Sequence, residues 1–266
     1  MQTIEISVEY IDHMGSDLTV VNAARASFDK ESDWDKFLGM MDKRALKPAD
    51  ANLIRYLATG YRTSEWEEFL DEVIRLAADP GTGYNDRRDE LTKLLHAYKR
   101  RAQHWAPFAH PHVQIRVRMP IFLARQFVKH QIGGVWSEES RRYISDEPGV
   151  WFPDEWHSRP EDIKQGSGDV VDCQSYCNQT AEHSVGMALD TYEALLQEVA
   201  PEEARIVLPL NMMTTVVWTG SLLFWSRVCN QRVDSHAQLA AQELGKKISG
   251  IVAPLFPVSW EALTGA

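Results

Sequence analysis

Residues 125–143, RQFVKHQIGGVWSEESRRY, place five basic side chains, two carboxylates, two serines and a Gly-Gly pair within nineteen residues. The apolar run MPIFLA (119–124) precedes them, so the pattern predicts a helix on which Arg125, Lys129 and Gly133 share one side and Gln126 and His130 the neighbouring side. Pro120 falls in the first turn of that helix, where proline is tolerated. Gly133-Gly134 breaks the helix, and Ser137-Glu138-Glu139-Ser140-Arg141-Arg142 reads as a polar loop. Its hydroxyls, backbone N–H groups and guanidinium groups suit an oxyanion such as a phosphate monoester. The stretch therefore predicts a site for a phosphorylated ligand rather than a solvated surface helix.

Outward from it, HVQIRVR (112–118) alternates as a strand, and QTIEISVEY (2–10) does the same. Leu18–Phe28 reads as a second short strand followed by the start of a helix. Pro48-Ala49-Asp50 signals a helix over 50–59, and Ser64 opens another that runs to Ala78 and is closed by Asp79-Pro80-Gly81. A highly charged helix is expected over Asp86–Trp105, its Arg100-Arg101 pair reading as solvated charge. The stretch 147–168, rich in Pro, Asp, Ser and Gly, reads as an exposed connector. Long helices are expected over about 170–199, 201–230 and 232–250, apolar enough to be buried against other helices or another subunit.

At 266 residues and 44% hydrophobic, the chain can bury one large core, with or without an insert. It contains no apolar run long enough to span a bilayer, and its N-terminus lacks the basic-then-apolar layout of a signal peptide, so a cytoplasmic protein with no membrane partner is expected. A net charge of −10 argues against a nucleic-acid surface, which needs excess Lys and Arg to displace counterions, whereas local basic clusters favour a small anionic ligand. Cys173, Cys177 and Cys229 do not form a framework, and the C-x3-C pair has no second pair to complete a zinc site. His110 and His112 lack a third ligand and read as structural, so no metal is expected.

No Ser-His-Asp or Cys-His arrangement is evident, so the candidates for chemistry are electrostatic. Arg205 and Arg232 each interrupt apolar sequence read as helical, and a buried guanidinium must meet an anion or a carbonyl. A structural ion pair is the alternative for both. Ser140 lacks an adjacent base, which favours a phosphate ligand over a covalent nucleophile.

Residues 125–143 resemble the signature of flavin-dependent thymidylate synthases, in which RQ-x-x-RHR on a helix precedes a loop S-x-N-E-x-S-x-R-Y. Here RQ is Arg125-Gln126, the RHR triplet is Lys129-His130-Gln131, and the loop end is Glu138 to Tyr143, with Ser137 where Asn is usual. VVNAARASF (20–28), LIRYLA (53–58), HWAPFAH (104–110), ARIVLPLNMMT (204–214) and RVDSHAQ (232–238) are similar to further elements of that family, while 59–103 looks like a helical insertion. The resemblance implies an α+β fold, a small antiparallel sheet packed by long helices in a single domain over 1–266, assembled as a homotetramer. It implies transfer of a one-carbon unit from methylenetetrahydrofolate to C5 of a deoxypyrimidine monophosphate, with FAD as cofactor and NADPH as co-substrate.

By the same resemblance Arg205 would meet the nucleotide phosphate and Arg232 the pyrimidine edge, where a fixed charge favours ionisation at N3. Gln126, Glu138, Glu139, Ser140, Arg141 and Arg142 would complete the nucleotide pocket. His104, Lys129, His130, Gln131, Glu138, Ser221 and Arg227 would hold the flavin, although Ser221, Leu223 and Arg227 stand where the family has Asn, Arg and Asn. These departures leave two alternatives open: a hydroxymethylase acting on dUMP or dCMP, and a noncatalytic nucleotide-binding protein on the same fold. The donor-only Arg232 favours dUMP over dCMP.

Overall fold

The computed structural model describes residues 1–36, 45–78, 81, 83–99, 103–160 and 166–265. In chain order its elements are β1 (Ser7–Met14), α1 (Asp17–Arg25), α2 (Pro48–Thr59), α3 (Thr63–Ala78), α4 (Tyr84–Lys99), β2 (His112–Pro120), α5 (Ile121–Phe127), β3 (Gly134–Glu138), α6 (Gln174–Leu196), α7 (Pro201–Ala204), β4 (Met213–Ser221), α8 (Leu222–Arg232), α9 (Leu239–Leu255) and α10 (Pro257–Thr264). Single 3-10 turns lie at Ala26–Phe28, Ala106–Ala109 and Arg205–Val207. The fold is α+β, as expected, but the chain divides into two compact units where one domain was expected. Met1–His13 with His112–Val252 form the first, and Met14–Pro111 with Ala253–Ala266 the second. Among the described residues no helix is long and apolar enough to cross a membrane.

The first unit is built on a four-stranded sheet in the order β1-β2-β4-β3. β2 and β4 pair antiparallel with Val117 opposite Val216, and β3 pairs antiparallel with β4, Trp136 opposite Trp218. Alternation decides the faces: Val113, Ile115, Val117 and Met119 of β2 are fully buried, while Arg116 and Arg118 between them are exposed. Trp218 of β4 is the hub of the core. The rings of Phe127, Trp136, Phe224 and Trp225 all meet it edge-on, which joins α5, β3 and α8 to the sheet.

The second unit packs α1, α2 and α10 around Val20, Val21, Ile54, Leu57, Phe108 and Trp260, all buried. Asp17 is buried at the start of α10 and accepts from the backbone N–H groups of Val258 and Ser259, both at 2.9 Å. Burial pushes its carboxyl above the usual range, and those donors pull it back. Asp50, fully buried, accepts from Arg25 and from the Ser32 hydroxyl, which fixes the arginine of the AARASF element.

Several expectations need correction. The first strand begins at Ser7, and upstream of it only Thr3 bridges Val150. Leu18–Phe28 holds no strand; it is helix and a 3-10 turn. Residues 201–230 are not one helix, because the β-branched run Thr214-Thr215-Val216-Val217 forms β4 and leaves only short turns before it and α8 after it. Helix α6 starts at Gln174 and ends at Leu196, and α9 starts at Leu239. α5 stops at Phe127, with Pro120 as the residue before it, so Lys129 and His130 sit on a turn beyond the helix. Ser137 and Glu138 belong to β3 rather than to a loop. The stretch 147–168 is not exposed throughout: Pro148, Gly149 and Val150 are buried, and Val150 bridges Met212. α4 ends at Lys99 and residues 103–105 are not helical, while the Asp79-Pro80 and Arg100-Arg101 readings lie outside the described residues.

Candidate active site

Two glycines and a phenylalanine set the position of α8. Gly133 has φ of 90°, a left-handed conformation that disfavours side chains. Gly134 and Gly220 face each other across β3 and β4, and the Phe224 ring lies against both. A Cβ on Gly134 would come within 2.6 Å of Phe224 Cζ, and one on Gly220 within 2.2 Å of Phe224 Cδ1. Ser221 then caps the helix, its hydroxyl accepting from the Phe224 N–H at 3.2 Å. Its side chain is buried and its oxygen accepts the cap bond, a structural role at a position where a cofactor contact was expected.

From this anchor α8 carries Arg227 and Arg232 toward the turn after α5. A cavity of about 460 Å³ lies between them, lined by Lys129, His130, Gln131, Ile132, Phe224, Arg227, Gln231 and Arg232. Among the described residues, three cations and no carboxylate line it. Arg232 is fixed at two points: its Nε donates to His130 Nε2 at 3.0 Å and its Nη2 donates to the Gln126 carbonyl at 2.9 Å. Its guanidinium lies 5.3 Å from the centre of the Phe127 ring. Burial lowers the Arg232 pKa from its ordinary value; burial, and then the Arg232 charge, push His130 below the usual imidazole range. The Gln126 amide donates to Gln238 Oε1 at 2.7 Å. A second, polar cavity of about 740 Å³ reaches Arg232 from the other side, lined among others by Gln126, Asp234, His236 and Gln238. Asp234 accepts from the His236 backbone and ring, which holds its carboxyl below the usual range.

The polar loop forms a third cavity, of about 760 Å³, which brings Glu138, Glu139, Ser140, Arg141, Arg142 and Arg205 together with Arg125 and Thr214. Glu138 is held rigidly, accepting from the Thr214 hydroxyl at 2.9 Å and from Trp136 Nε1 at 3.1 Å. Ser140 Oγ accepts from Arg142 Nε at 3.3 Å, and the Arg142 guanidinium lies over the Tyr143 ring. Arg205 is exposed on its 3-10 turn, not buried in a helix; its Nε donates to the Glu202 carbonyl at 3.1 Å. Among the described residues no carboxylate pairs with Arg125, Arg142 or Arg205. Arg141 differs: it pairs with Asp146 at 3.1 Å and donates to the Asp146 carbonyl at 2.6 Å, the structural alternative for an arginine. Sequence reasoning passed over Arg125, although it opens the signature, and Thr214, which sits on the strand misread as helix.

His104 belongs to the second unit. Its backbone N–H donates to Leu57 and its ring tilts against Tyr56, the centroids 5.6 Å apart. With Arg25, Arg62 and Trp105 it lines a cavity of about 1010 Å³ within that unit.

Residues 9–258 match the family model described as thymidylate synthase complementing protein. The chain belongs to that family. Similar relatives include the flavin-dependent thymidylate synthases of Kosmotoga olearia, 35% identical over 65% of this chain and 76% of the relative, and of Thermotoga neapolitana, 28% identical over 96% and 89%. Among solved structures, the UMP/dUMP methylase PolB from Streptomyces cacaoi bound with 5-Br dUMP shares the fold with a TM-score of 0.70, covering 99% of this chain and 96% of its own at 24% identity. Membership makes the protein an enzyme of the methyltransferase type.

Proposed function

We propose that the protein transfers a one-carbon unit from methylenetetrahydrofolate to C5 of dUMP, giving dTMP, with FAD as cofactor and NADPH as reductant. The observation that carries this reading is the pair of cationic sites in the first unit. One is a cradle for a phosphate monoester around Ser140, Arg142 and Arg205, and the other is the doubly anchored Arg232. Arg125, Arg142 and Arg205, without carboxylate partners, would meet the phosphate, and the Ser140 hydroxyl adds a donor. Arg232 keeps its Nη1 hydrogens for the pyrimidine. A fixed cation there favours the ring ionised at N3, which raises electron density at C5.

The cavity of Lys129, His130, Gln131, Arg227 and Arg232 suits the diphosphate of a dinucleotide cofactor, since it gathers cations and, among the described residues, no carboxylate to oppose an anion. Bound there and reduced by NADPH, the flavin would supply the hydride for reduction of the transferred carbon. His104 is assigned to the flavin by resemblance alone.

Incubation with FAD, methylenetetrahydrofolate, NADPH and dUMP, read by product mass, tests this. A methyl-sized gain on dUMP is expected; turnover of dCMP alone would overturn the base assignment. The withdrawal of Ser221 into the α8 cap favours one second reading, hydration of the transferred carbon to a hydroxymethyl group, because a weakened cofactor site would let water compete with hydride. A hydroxymethyl-sized gain would identify it.

A further inference from the structure

We propose that His130 is the positioning residue for Arg232, and that it acts only as a neutral imidazole carrying its proton on Nδ1. This rests on the reading that Arg232 meets the pyrimidine. Arginine Nε has a single hydrogen, and here it points at His130 Nε2 across 3.0 Å. Nε2 must therefore offer a lone pair, which in a neutral ring leaves the proton on the other nitrogen. Because Nη2 is simultaneously tied to the Gln126 carbonyl, one whole side of the guanidinium is occupied. The Phe127 ring supports the assembly, 5.3 Å from the guanidinium and 6.3 Å from the His130 ring. What remains for a ligand is the end of the fork, both Nη1 hydrogens and one on Nη2, held at a fixed angle. Without His130, Arg232 would keep its charge and one anchor but could rotate about that carbonyl.

Protonating His130 would replace the acceptor with a cation in contact with another cation. The charged groups around it do not offset this. Lys129 precedes it in the chain, and Arg227 and Arg232 face it from α8. Asp234 and His236, on the far side of Arg232, are engaged with each other. His130 is held below its ordinary range by burial and by Arg232. Its folded value thus lies under the unfolded one. The unfolded chain takes up the proton first, so the contribution of the contact to stability is complete above about pH 6.5 and is lost as pH falls toward the folded value. The rate should show an acid limb in the same window, from the same event.

The contact can be tested apart from the reaction. Imidazole nitrogen shifts of protein labelled with ¹⁵N on histidine, with His130 assigned by its absence in His130→Asn, should show a neutral Nδ1-protonated ring at about pH 7.5. A ring protonated on Nε2, or charged at that pH, overturns the proposal. In turnover of dUMP, His130→Ala should lower kcat roughly tenfold, the scale of a hydrogen bond to a charged group. His130→Asn, whose amide oxygen can accept from Nε, should recover most of the loss and flatten the acid limb. Wild-type kcat with the acid limb intact in His130→Ala would also overturn it. A protein that turns over no pyrimidine nucleotide yet shows the Nδ1-protonated ring would support the contact and sink the thymidylate reading.

Discussion

The two arginines singled out from sequence end in opposite environments, and their substitutions should separate accordingly. Arg232 is half-buried and anchored at both Nε and Nη2, so Arg232→Ala removes a fixed, oriented cation. A loss of ~2–4 kcal/mol of transition-state stabilisation is expected, mostly in kcat, with a smaller loss of FAD affinity by fluorescence because Lys129 and Arg227 remain in the cavity. An unaltered rate would take it off the catalytic list. Arg205 is exposed, so water can take over its contact, and Arg205→Ala should raise KM for dUMP by about 1 kcal/mol and leave kcat nearly intact. A fall in kcat without a change in KM would contradict its assignment to the phosphate. The cysteines divide on the same principle. Cys229 is buried, which pushes its thiol up to about 12, so iodoacetamide should label Cys173 and Cys177 in the folded enzyme and reach Cys229 only after unfolding.

At the scale of elements, the β4-to-α8 corner depends on what Gly220 and Ser221 do for Phe224. Gly220→Ala would drive a methyl into the Phe224 ring, a clash at 2.2 Å against an α8 residue that already lies on Gly134 of β3. Overpacking of that kind should cost ~1–3 kcal/mol, visible as a lower Tm. Ser221→Ala should cost about 1 kcal/mol through the lost cap while FAD affinity holds. Lost FAD affinity at full stability would return Ser221 to the cofactor site. This corner is also where the sequence was least legible. HVQIRVR showed itself as a strand because polar residues, His112, Gln114, Arg116 and Arg118, take every second position. β4 has no such marks: Thr214, Val216 and Trp218 are buried and the residues between them half-buried, so its apolar run merges with the start of α8 and reads as one long buried helix. That residues 138–142 gather at one cavity was legible because they are local in sequence. The His130–Arg232 contact joins positions 102 apart, and no spacing rule could announce it.

At the scale of the molecule, exposed apolar side chains crowd the rims of the cationic cavities. Ile132, on the rim of the Arg227–Arg232 cavity, is 83% exposed, and Ile206, on the rim of the Ser140 cradle, is 81% exposed; Val135 and Tyr143 are further exposed apolar residues of β3 and the loop after it. Apolar residues concentrated beside polar cavities are what a covering surface would bury. We read that surface as another copy of this chain, in keeping with the homotetramer that the resemblance implies. A cradle whose guanidinium groups face solvent binds phosphate weakly, because water competes for the same donors and screens the charge. Covering the rim would lower the local dielectric and raise the worth of each contact. The enzyme should therefore sediment as a tetramer. Ile206→Asn makes the rim polar without adding a charge to the cradle it lines, so it should shift sedimentation toward smaller species and weaken dUMP binding together. Loss of assembly with dUMP affinity intact, or a stable monomer that still turns over, would show that one chain builds the site alone.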